Sequence, residues 1–178
     1  MGATSRRGLS SLVDEHYQSL YRYAVRLSGS PADAEDLTQE AFCKAQTQFA
    51  QLRDPDRARP WLFAIVRNAY LQRVRADKNL KTVSMEAVGD VPERPGADGP
   101  EIGPEQLQRA LNELPEGFRT PVILFYFEEM SYRDIAEQMG LPIGTVMSRL
   151  ARGKGFLKDR LRPDSVTDGP NDEAPNDL

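Results

Sequence analysis

The chain has 178 residues, a formal net charge of −4, one cysteine (Cys43) and one histidine (His16). This length allows one or two small domains. A single thiol and a single imidazole exclude a disulfide framework and a Cys-rich metal site. No apolar run approaches the length of a membrane span, and residues 1–10 lack the apolar core of a signal peptide. We therefore expect a cytoplasmic protein without membrane insertion, metal or cofactor.

The first module is predicted at residues 9–80, as three or four helices that follow a disordered start at residues 1–8. The first helix runs from about Leu9 to Leu27, and its apolar stripe consists of Tyr17, Leu20, Tyr21, Ala24 and Leu27. The second helix begins with a cap, a first-turn proline and an acid three residues after the cap, at Ser30, Pro31 and Asp33. It is predicted to bury Ala34, Leu37, Ala41, Ala45 and Phe49.

The other side of the second helix is acidic and polar. It carries Asp33, Asp36, Gln39 and Glu40. An acidic stripe taken alone is most often a solvated face, and a partner-binding surface is the less common alternative.

The third helix is predicted from about Arg59 to Lys78, after a polar loop at residues 51–59. Its apolar face consists of Trp61, Leu62, Ile65, Val66, Ala69 and Val74, and we interpret Trp61 as a packing anchor. Its basic positions are Arg67, Arg73, Arg75 and Lys78, with Phe63 and Tyr70 among them. Aromatic rings beside guanidinium groups can stack unpaired bases, but they can equally belong to a core. For Arg67, Asn68 and Tyr70 the pattern leaves the two interpretations even.

Two acidic segments flank the second module, which is predicted at residues 105–162. Residues 81–104 are rich in Gly, Pro and acid and are predicted to form a linker, and residues 163–178 are predicted to form a disordered tail. The tail alone carries 5 acids and no Lys or Arg, whereas residues 1–80 carry 12 Lys/Arg against 9 Asp/Glu. Each module is therefore only weakly basic, which favours a DNA-binding protein that depends on a partner.

A helix-turn-helix is predicted from Ser131 to Lys158. Ser131 and Asp134 form a capping box, and Gly140 ends the first helix where a left-handed residue is needed. In the second helix Val146 and Leu150 are predicted to face inward. The outward positions are predicted to contact phosphates and base edges of a major groove, and they are Thr145, Ser148, Arg149 and Arg152. A surface hairpin with a solvated basic face is the alternative.

Three motifs in this order resemble bacterial sigma factors of the sigma-70 family, in particular the small extracytoplasmic-function (ECF) group. They are DAEDLTQEAF at residues 33–42, RPWLFAIVRNAY at 59–70, and the segment from Leu114 to Leu150. The resemblance implies an all-α fold with two small helical domains, region 2 and the helix-turn-helix region 4, joined by a flexible linker. It also implies promoter recognition, DNA melting and transcription initiation with core RNA polymerase, without catalytic chemistry of the chain itself. The resemblance also leaves two forms of control open, since some members are held inactive by an anti-sigma factor and others are controlled otherwise.

The family's functional residues carry over by motif position. The resemblance assigns polymerase binding to the second helix, at Asp33, Asp36, Gln39 and Glu40. It assigns minus-10 promoter DNA to the third helix and the loop before it, at Arg59, Arg67, Asn68, Tyr70 and Arg73. It assigns minus-35 DNA to the groove-facing residues of the helix-turn-helix, at Thr145, Ser148, Arg149 and Arg152.

The chain departs from the family pattern near the end of its recognition helix. Met147 stands where a lysine is common, and Gly153 and Gly155 follow where a histidine-and-arginine run is common. Each glycine costs a helix about 1 kcal/mol relative to alanine, so we expect fraying or a bend there and weaker promoter binding. Pro121 predicts that the helix preceding the helix-turn-helix begins near Arg119 or Thr120.

Two other classes of protein stay open on the residues alone. An autonomous helix-turn-helix regulator would bind duplex DNA tightly without polymerase, which the weak basic balance disfavours. An enzyme such as a recombinase would need a nucleophile or a metal constellation, and the sequence contains neither in a recognisable pattern.

Overall fold

The computed structural model describes residues 2–77 and 102–162, and these residues form α-helices and two short 3-10 turns without a strand. The N-terminal bundle consists of α1 (Gly2–Ser28), α2 (Pro31–Gln48) and α3 (Ala58–Asp77). The C-terminal bundle consists of α4 (Pro104–Glu113), α5 (Glu116–Tyr126), α6 (Tyr132–Met139) and α7 (Ile143–Arg160). The prediction of an all-α fold is confirmed. No helix in the described part of the chain is long and apolar enough to span a membrane.

Local signals set the predicted start of α2. The Ser30 hydroxyl accepts a hydrogen bond from the Asp33 N–H at 3.3 Å, and Pro31 occupies the first turn. The inner face of α2 then buries Ala34, Leu37, Ala41 and Ala45 as predicted, together with Thr38. Thr38 satisfies its hydroxyl on the Ala34 carbonyl at 2.7 Å, so a polar residue is accommodated in the core.

The N-terminal bundle differs from the predictions at the start of α1 and at Tyr17. The helix α1 begins at Gly2, earlier than the predicted start near Leu9, while the disordered segment at residues 1–8 stays a prediction. Tyr17 is 38% exposed and stacks on Tyr21 and Phe42 at the surface, while Tyr23 occupies the core in its place. Phe63 is buried, with its ring centroid 5.0 Å from that of Tyr23, so of its two interpretations the core is the one that the structure supports.

The predicted caps of the helix-turn-helix are present. Ser131 accepts from the Asp134 N–H at 3.1 Å and donates its hydroxyl to the Asp134 carboxylate at 2.7 Å. Gly140 ends α6 in the left-handed conformation, with φ of 64°. Ile135 and Ala136 of α6 pack with Val146 and Leu150 of α7 in the core.

Two expectations for the C-terminal bundle are corrected by packing. The helix α5 begins at Glu116 after Pro115, so Pro121 lies inside it. The helix α7 continues through Gly153 and Gly155 to Arg160. Gly153 is buried, and a Cβ there would lie 2.6 Å from Cγ2 of Val122, so glycine allows α7 to approach α5. The helix gains packing that offsets its propensity cost.

The two bundles pack against each other through α1 and α3 on one side and α4, α5 and α6 on the other. Arg119 of α5 donates to the Leu27 carbonyl at 2.8 Å, and Gln108 of α4 donates to the Arg26 carbonyl at 3.2 Å. Both acceptors lie in the last turn of α1, where helix carbonyls have no partner within the helix. The predicted linker at 81–104, apart from residues 102–104, and the predicted tail at 163–178 lie outside the described residues.

Candidate nucleic-acid interface

The acidic side of α2 is largely exposed, and two of its carboxylates form ion pairs. Asp33, Asp36 and Gln39 are exposed, and Glu40 is half-buried. Glu40 pairs with Lys44 at 2.7 Å, and Arg73 of α3 lies 3.4 Å from Glu40 and 3.8 Å from Asp36. The hydrogen bond from Lys44 lowers the pKa of Glu40, so that carboxylate stays ionised. The structure thus joins predicted polymerase-binding residues to one predicted minus-10 residue.

Three of the predicted minus-10 residues contact the C-terminal bundle. Nη2 of Arg67 lies 3.4 Å from the Glu116 carboxylate, and the Tyr70 hydroxyl accepts from Arg119 at 3.4 Å. The third residue, Arg59, lies 3.4 Å from the carboxylate of Glu128. The three partners follow one another along the chain, with Glu116 and Arg119 in α5 and Glu128 just after it. We call Arg59, Arg67 and Tyr70 the covered face of α3.

Asn68 differs from these neighbours. It lies between Arg67 and Ala69 on α3, and its side chain is exposed. The five predicted minus-10 residues therefore divide into three on the covered face, one in the ion-pair network of α2, and one open to solvent. A DNA strand that uses all five requires the two bundles to separate.

Glu128 is the buried charge at this contact between the bundles. Its side chain is 3% exposed, and Nη1 of Arg26 lies 3.5 Å from its Oε1 while Arg59 approaches its Oε2. The guanidinium of Arg26 also lies 4.4 Å from the ring centroid of Phe127. Burial raises the pKa of Glu128, while the coulombic effects of Arg26, Arg59 and Arg22 lower it. An ionised Glu128 therefore depends on these arginines for compensation.

Arg149 of the helix-turn-helix has a structural role that the sequence pattern did not predict. Nη1 of Arg149 donates to the Gly117 carbonyl at 3.2 Å, and Arg149 is half-buried. In an α-helix that carbonyl would accept from the N–H four residues on, but this residue is Pro121, which has none. Arg149 thus satisfies an acceptor that the proline leaves unpaired.

The outer face of α7 is open in the described arrangement. Ser148 and Arg152 are exposed as predicted, whereas Thr145 is half-buried beside Arg149. Several residues that were not predicted to face outward are also exposed, among them Ile143, Gly144, Met147 and Ala151. The exposed surface of α7 is therefore rotated toward Met147 relative to the prediction.

Sequence reasoning missed Glu116, Arg119 and Glu128 because no local pattern marks them. Their partners are Arg67, Tyr70 and Arg59, which lie 49 to 69 residues earlier in the chain. The Gly117–Arg149 contact did have a signal in the sequence. Because Pro121 has no N–H, the carbonyl of Gly117, four residues earlier in the helix, lacks its usual helical donor.

Comparison with known proteins identifies both bundles. The family model described as Sigma-70 region 2 matches residues 12–79, and the model described as Sigma-70, region 4 matches residues 104–157. The ECF RNA polymerase sigma factor SigW of Bacillus subtilis is 30% identical over 167 residues, which cover 86% of this chain and 88% of SigW. The chain belongs to the ECF sigma factors of the sigma-70 family. As a sigma factor it directs promoter-specific initiation of transcription by core RNA polymerase, and the reading as an autonomous regulator is not favoured.

A second relative gives higher identity with lower coverage. The ECF sigma factor SigE of Mycolicibacterium smegmatis is 39% identical over 160 residues, which cover 84% of this sigma factor and 60% of SigE. The chain thus matches less than two thirds of the length of that relative. Family membership is shown by both matches, and sigma factors as a class are non-enzymatic regulators of transcription initiation.

A solved structure shares the arrangement of both bundles. The sigma factor RpoE of Bartonella quintana, crystallised with the anti-sigma factor NepR, superposes with a TM-score of 0.70 at 27% identity, over 87% of this sigma factor and 97% of RpoE. CnrH, solved with the cytosolic domain of CnrY, superposes with a TM-score of 0.65 at 23% identity and shows the fold alone.

Proposed function

We propose that three surfaces of this sigma factor divide the work of initiation. The acidic side of α2, with Asp33, Asp36, Gln39 and Glu40, docks on core RNA polymerase. The face of α3 with Arg59, Arg67, Asn68, Tyr70 and Arg73 contacts the minus-10 element, and the outer face of α7 contacts the minus-35 element. The observation that carries the proposal is that both family regions are present in order, with Asp33 and Asp36 of α2 and Ser148 and Arg152 of α7 exposed.

Polymerase docking follows from the charge and the position of the α2 acids. Asp36 is 68% exposed, and the core of the bundle lies on the opposite side of the same helix. Exposed carboxylates of this kind raise the encounter rate with a basic partner and help to define its orientation. Because Arg73 pairs with Asp36 and Glu40, docking competes with that pairing and releases Arg73 toward the minus-10 DNA.

Minus-10 binding suits an unpaired strand. Pulling a base from the duplex costs a few kcal/mol, which stacking on an aromatic ring and contacts to phosphates offset. Tyr70 and the arginines of the covered face supply such groups once they leave Glu116, Arg119 and Glu128. Asn68, already exposed, is the first of these residues that DNA can reach.

Minus-35 binding is duplex recognition through α7. Ser148 and Arg152 contact the groove, whereas Thr145 and Arg149 lie on the flank nearer α5. Helix-turn-helix proteins place the N-terminal part of the second helix against base edges, and in α7 that part exposes Ile143, Gly144, Met147, Ser148, Ala151 and Arg152.

We further propose that an anti-sigma factor restrains this protein, and that it acts in the cytoplasm without catalytic chemistry of its own. The support for the first point is the shared arrangement with RpoE, which was crystallised with NepR. The proposal of a non-catalytic protein that acts in the cytoplasm is supported by family membership and by core polymerase, the partner that the function requires.

Transcription from a matched promoter with purified core polymerase tests the proposal. Asp36→Arg with Glu40→Arg should abolish core binding and promoter-specific transcripts, while helicity stays at the wild-type level. The control is Glu35→Arg, an exposed acid of the same helix outside the proposed surface, which should keep both activities. Full transcription by the folded double variant would place the docking surface elsewhere.

The two DNA surfaces are separated by template design. Asn68→Ala should impair opening of duplex promoters and be relieved on a template that is already unpaired at the minus-10 element. Arg152→Ala should weaken binding of the minus-35 duplex by about 1–3 kcal/mol if it contacts a base with two hydrogen bonds. Identical defects on the unpaired template would contradict this division.

A further inference from the structure

The exposed surface of α7 consists of two adjacent rows that differ in chemistry. One row is Gly144, Ser148 and Arg152, and the other is Ile143, Met147 and Ala151. Members of each row are four residues apart, so they lie one above another on the helix. The second row is apolar throughout, although it lies beside the polar residues that we propose face DNA.

The exposure of this apolar row is large. Met147 is 50% exposed, the highest value among the large hydrophobic side chains that the described residues expose, and Ile143 is 47% exposed, a value that Tyr126 shares. A single exposed apolar side chain is ordinary and needs no explanation. Here two of them occupy successive turns at the start of a recognition helix, on the side away from α5 and α6.

The chemistry of Met147 limits what it can contact in a groove. Its thioether carries no charge and no donor, and its sulfur accepts hydrogen bonds only weakly, so it cannot replace a phosphate-binding lysine. The apolar feature of a major groove is the C5-methyl group of thymine. An unbranched, polarizable side chain adapts its rotamer to such a methyl group.

The surroundings favour DNA as the occupant of this face. The helix α7 carries Arg149, Arg152, Lys154, Lys158 and Arg160 against one acid, Asp159, which suits a polyanion rather than an apolar partner. Nothing lies within 4 Å of a Cβ built on Gly144, so the start of the helix leaves space for close approach of a base edge.

We propose that Met147 reads a thymine methyl group in the minus-35 element, with Ile143 extending the apolar contact. The inference rests on the proposed minus-35 role of α7 and adds the base that this chain selects. It predicts a T·A pair at one fixed position of the element. A sigma factor with lysine at residue 147 would lack this apolar contact and would not select the thymine through it.

Selection from a duplex library with a randomised minus-35 element, using the sigma factor bound to core polymerase, gives the preferred sequence. Each thymine is then replaced by deoxyuridine, which removes only the methyl group. The wild-type holoenzyme should lose about fourfold in affinity at one position, the effect of withdrawing one methyl group from a buried contact. The Met147→Ala holoenzyme should bind the thymine-containing element more weakly than wild type, and deoxyuridine at that position should not change its affinity.

The control variant is Ile102→Ala, which removes an apolar side chain of similar exposure, 46%, outside α7. It should keep the wild-type response to deoxyuridine. Selected elements without thymine, or equal deoxyuridine sensitivity of wild type and Met147→Ala, would overturn the reading by Met147 while leaving minus-35 recognition in place. Binding that is indifferent to the whole minus-35 element would overturn the proposed role of α7 as well.

Discussion

The two proposed DNA surfaces of this sigma factor differ in what lies against them. The covered face of α3 meets α5 and the residues just after it, and Arg59 and Arg67 each pair with a carboxylate there. The outer face of α7 is open to solvent at Ser148 and Arg152. If the proposed roles hold, duplex recognition needs no rearrangement of the described bundles, and a melted strand can reach Asn68 but reaches the covered face only after the bundles separate.

The largest expected effect comes from reversing the buried charge that joins the bundles. Glu128→Lys places a third cation beside Arg26 and Arg59, and loss of a buried pair costs about 3–5 kcal/mol. We expect the bundles to separate, seen as a larger radius of gyration in small-angle scattering. Glu129→Lys, at the adjacent exposed position, is the control and should leave the radius unchanged. An unchanged radius for a folded Glu128→Lys protein would show that Glu128 does not hold the bundles together.

The buried side of α7 is tested by adding a methyl group. Gly153→Ala directs a Cβ to within 2.6 Å of Val122 and should lower the free energy of unfolding by about 1–3 kcal/mol, measured in urea. Gly144→Ala has open space around its Cβ in the same helix and should leave stability equal or slightly higher. Equal effects of the two substitutions would contradict the close approach of α7 to α5.

Two arginines of α7 sharpen the contrast between its faces. Arg149→Ala leaves the Gly117 carbonyl without a donor and should lower the free energy of unfolding by about 1–2 kcal/mol. Arg152→Ala removes an exposed side chain, so it should lower the free energy of unfolding less than Arg149→Ala while weakening DNA binding. If Arg149→Ala unfolds at the wild-type urea concentration, its contact with Gly117 contributes nothing and a direct role in DNA binding is restored.

The smallest effect is a dependence on pH that comes from Glu128. Its pKa in the folded protein lies above the ordinary 4.5, chiefly because of burial. The group therefore contributes stability that is present below 4.5 and is lost as the pH rises through its raised pKa. Unfolding free energies of wild type relative to Glu128→Gln should accordingly fall as the pH increases above 4.5. A difference that is flat or rises with pH would mean that the arginines outweigh the burial.

Prediction from sequence succeeded where the decisive contact lies within a few residues. Ser30 and Ser131 cap their helices, and Gly140 adopts the left-handed conformation, because each acts on backbone groups at most four residues away. It failed where the neighbouring helix decides. Tyr17 fits the apolar stripe of α1, but it lies at the surface, where it stacks on Tyr21 and Phe42.

The all-α class, the caps at Ser30, Ser131 and Gly140 and the family follow from the amino-acid sequence, since these depend on local backbone chemistry and on motifs in order, whereas α1 and α5 begin earlier than predicted. Only the tertiary structure decided which functional side chains are available. Arg67 and Glu116, or Arg59 and Glu128, lie 49 and 69 residues apart, and such ion pairs leave no periodic trace in either helix. Helical periodicity gives the angle of a residue on its own helix, whereas the packing of a second helix determines whether that angle leads to solvent, to a core or to another charge.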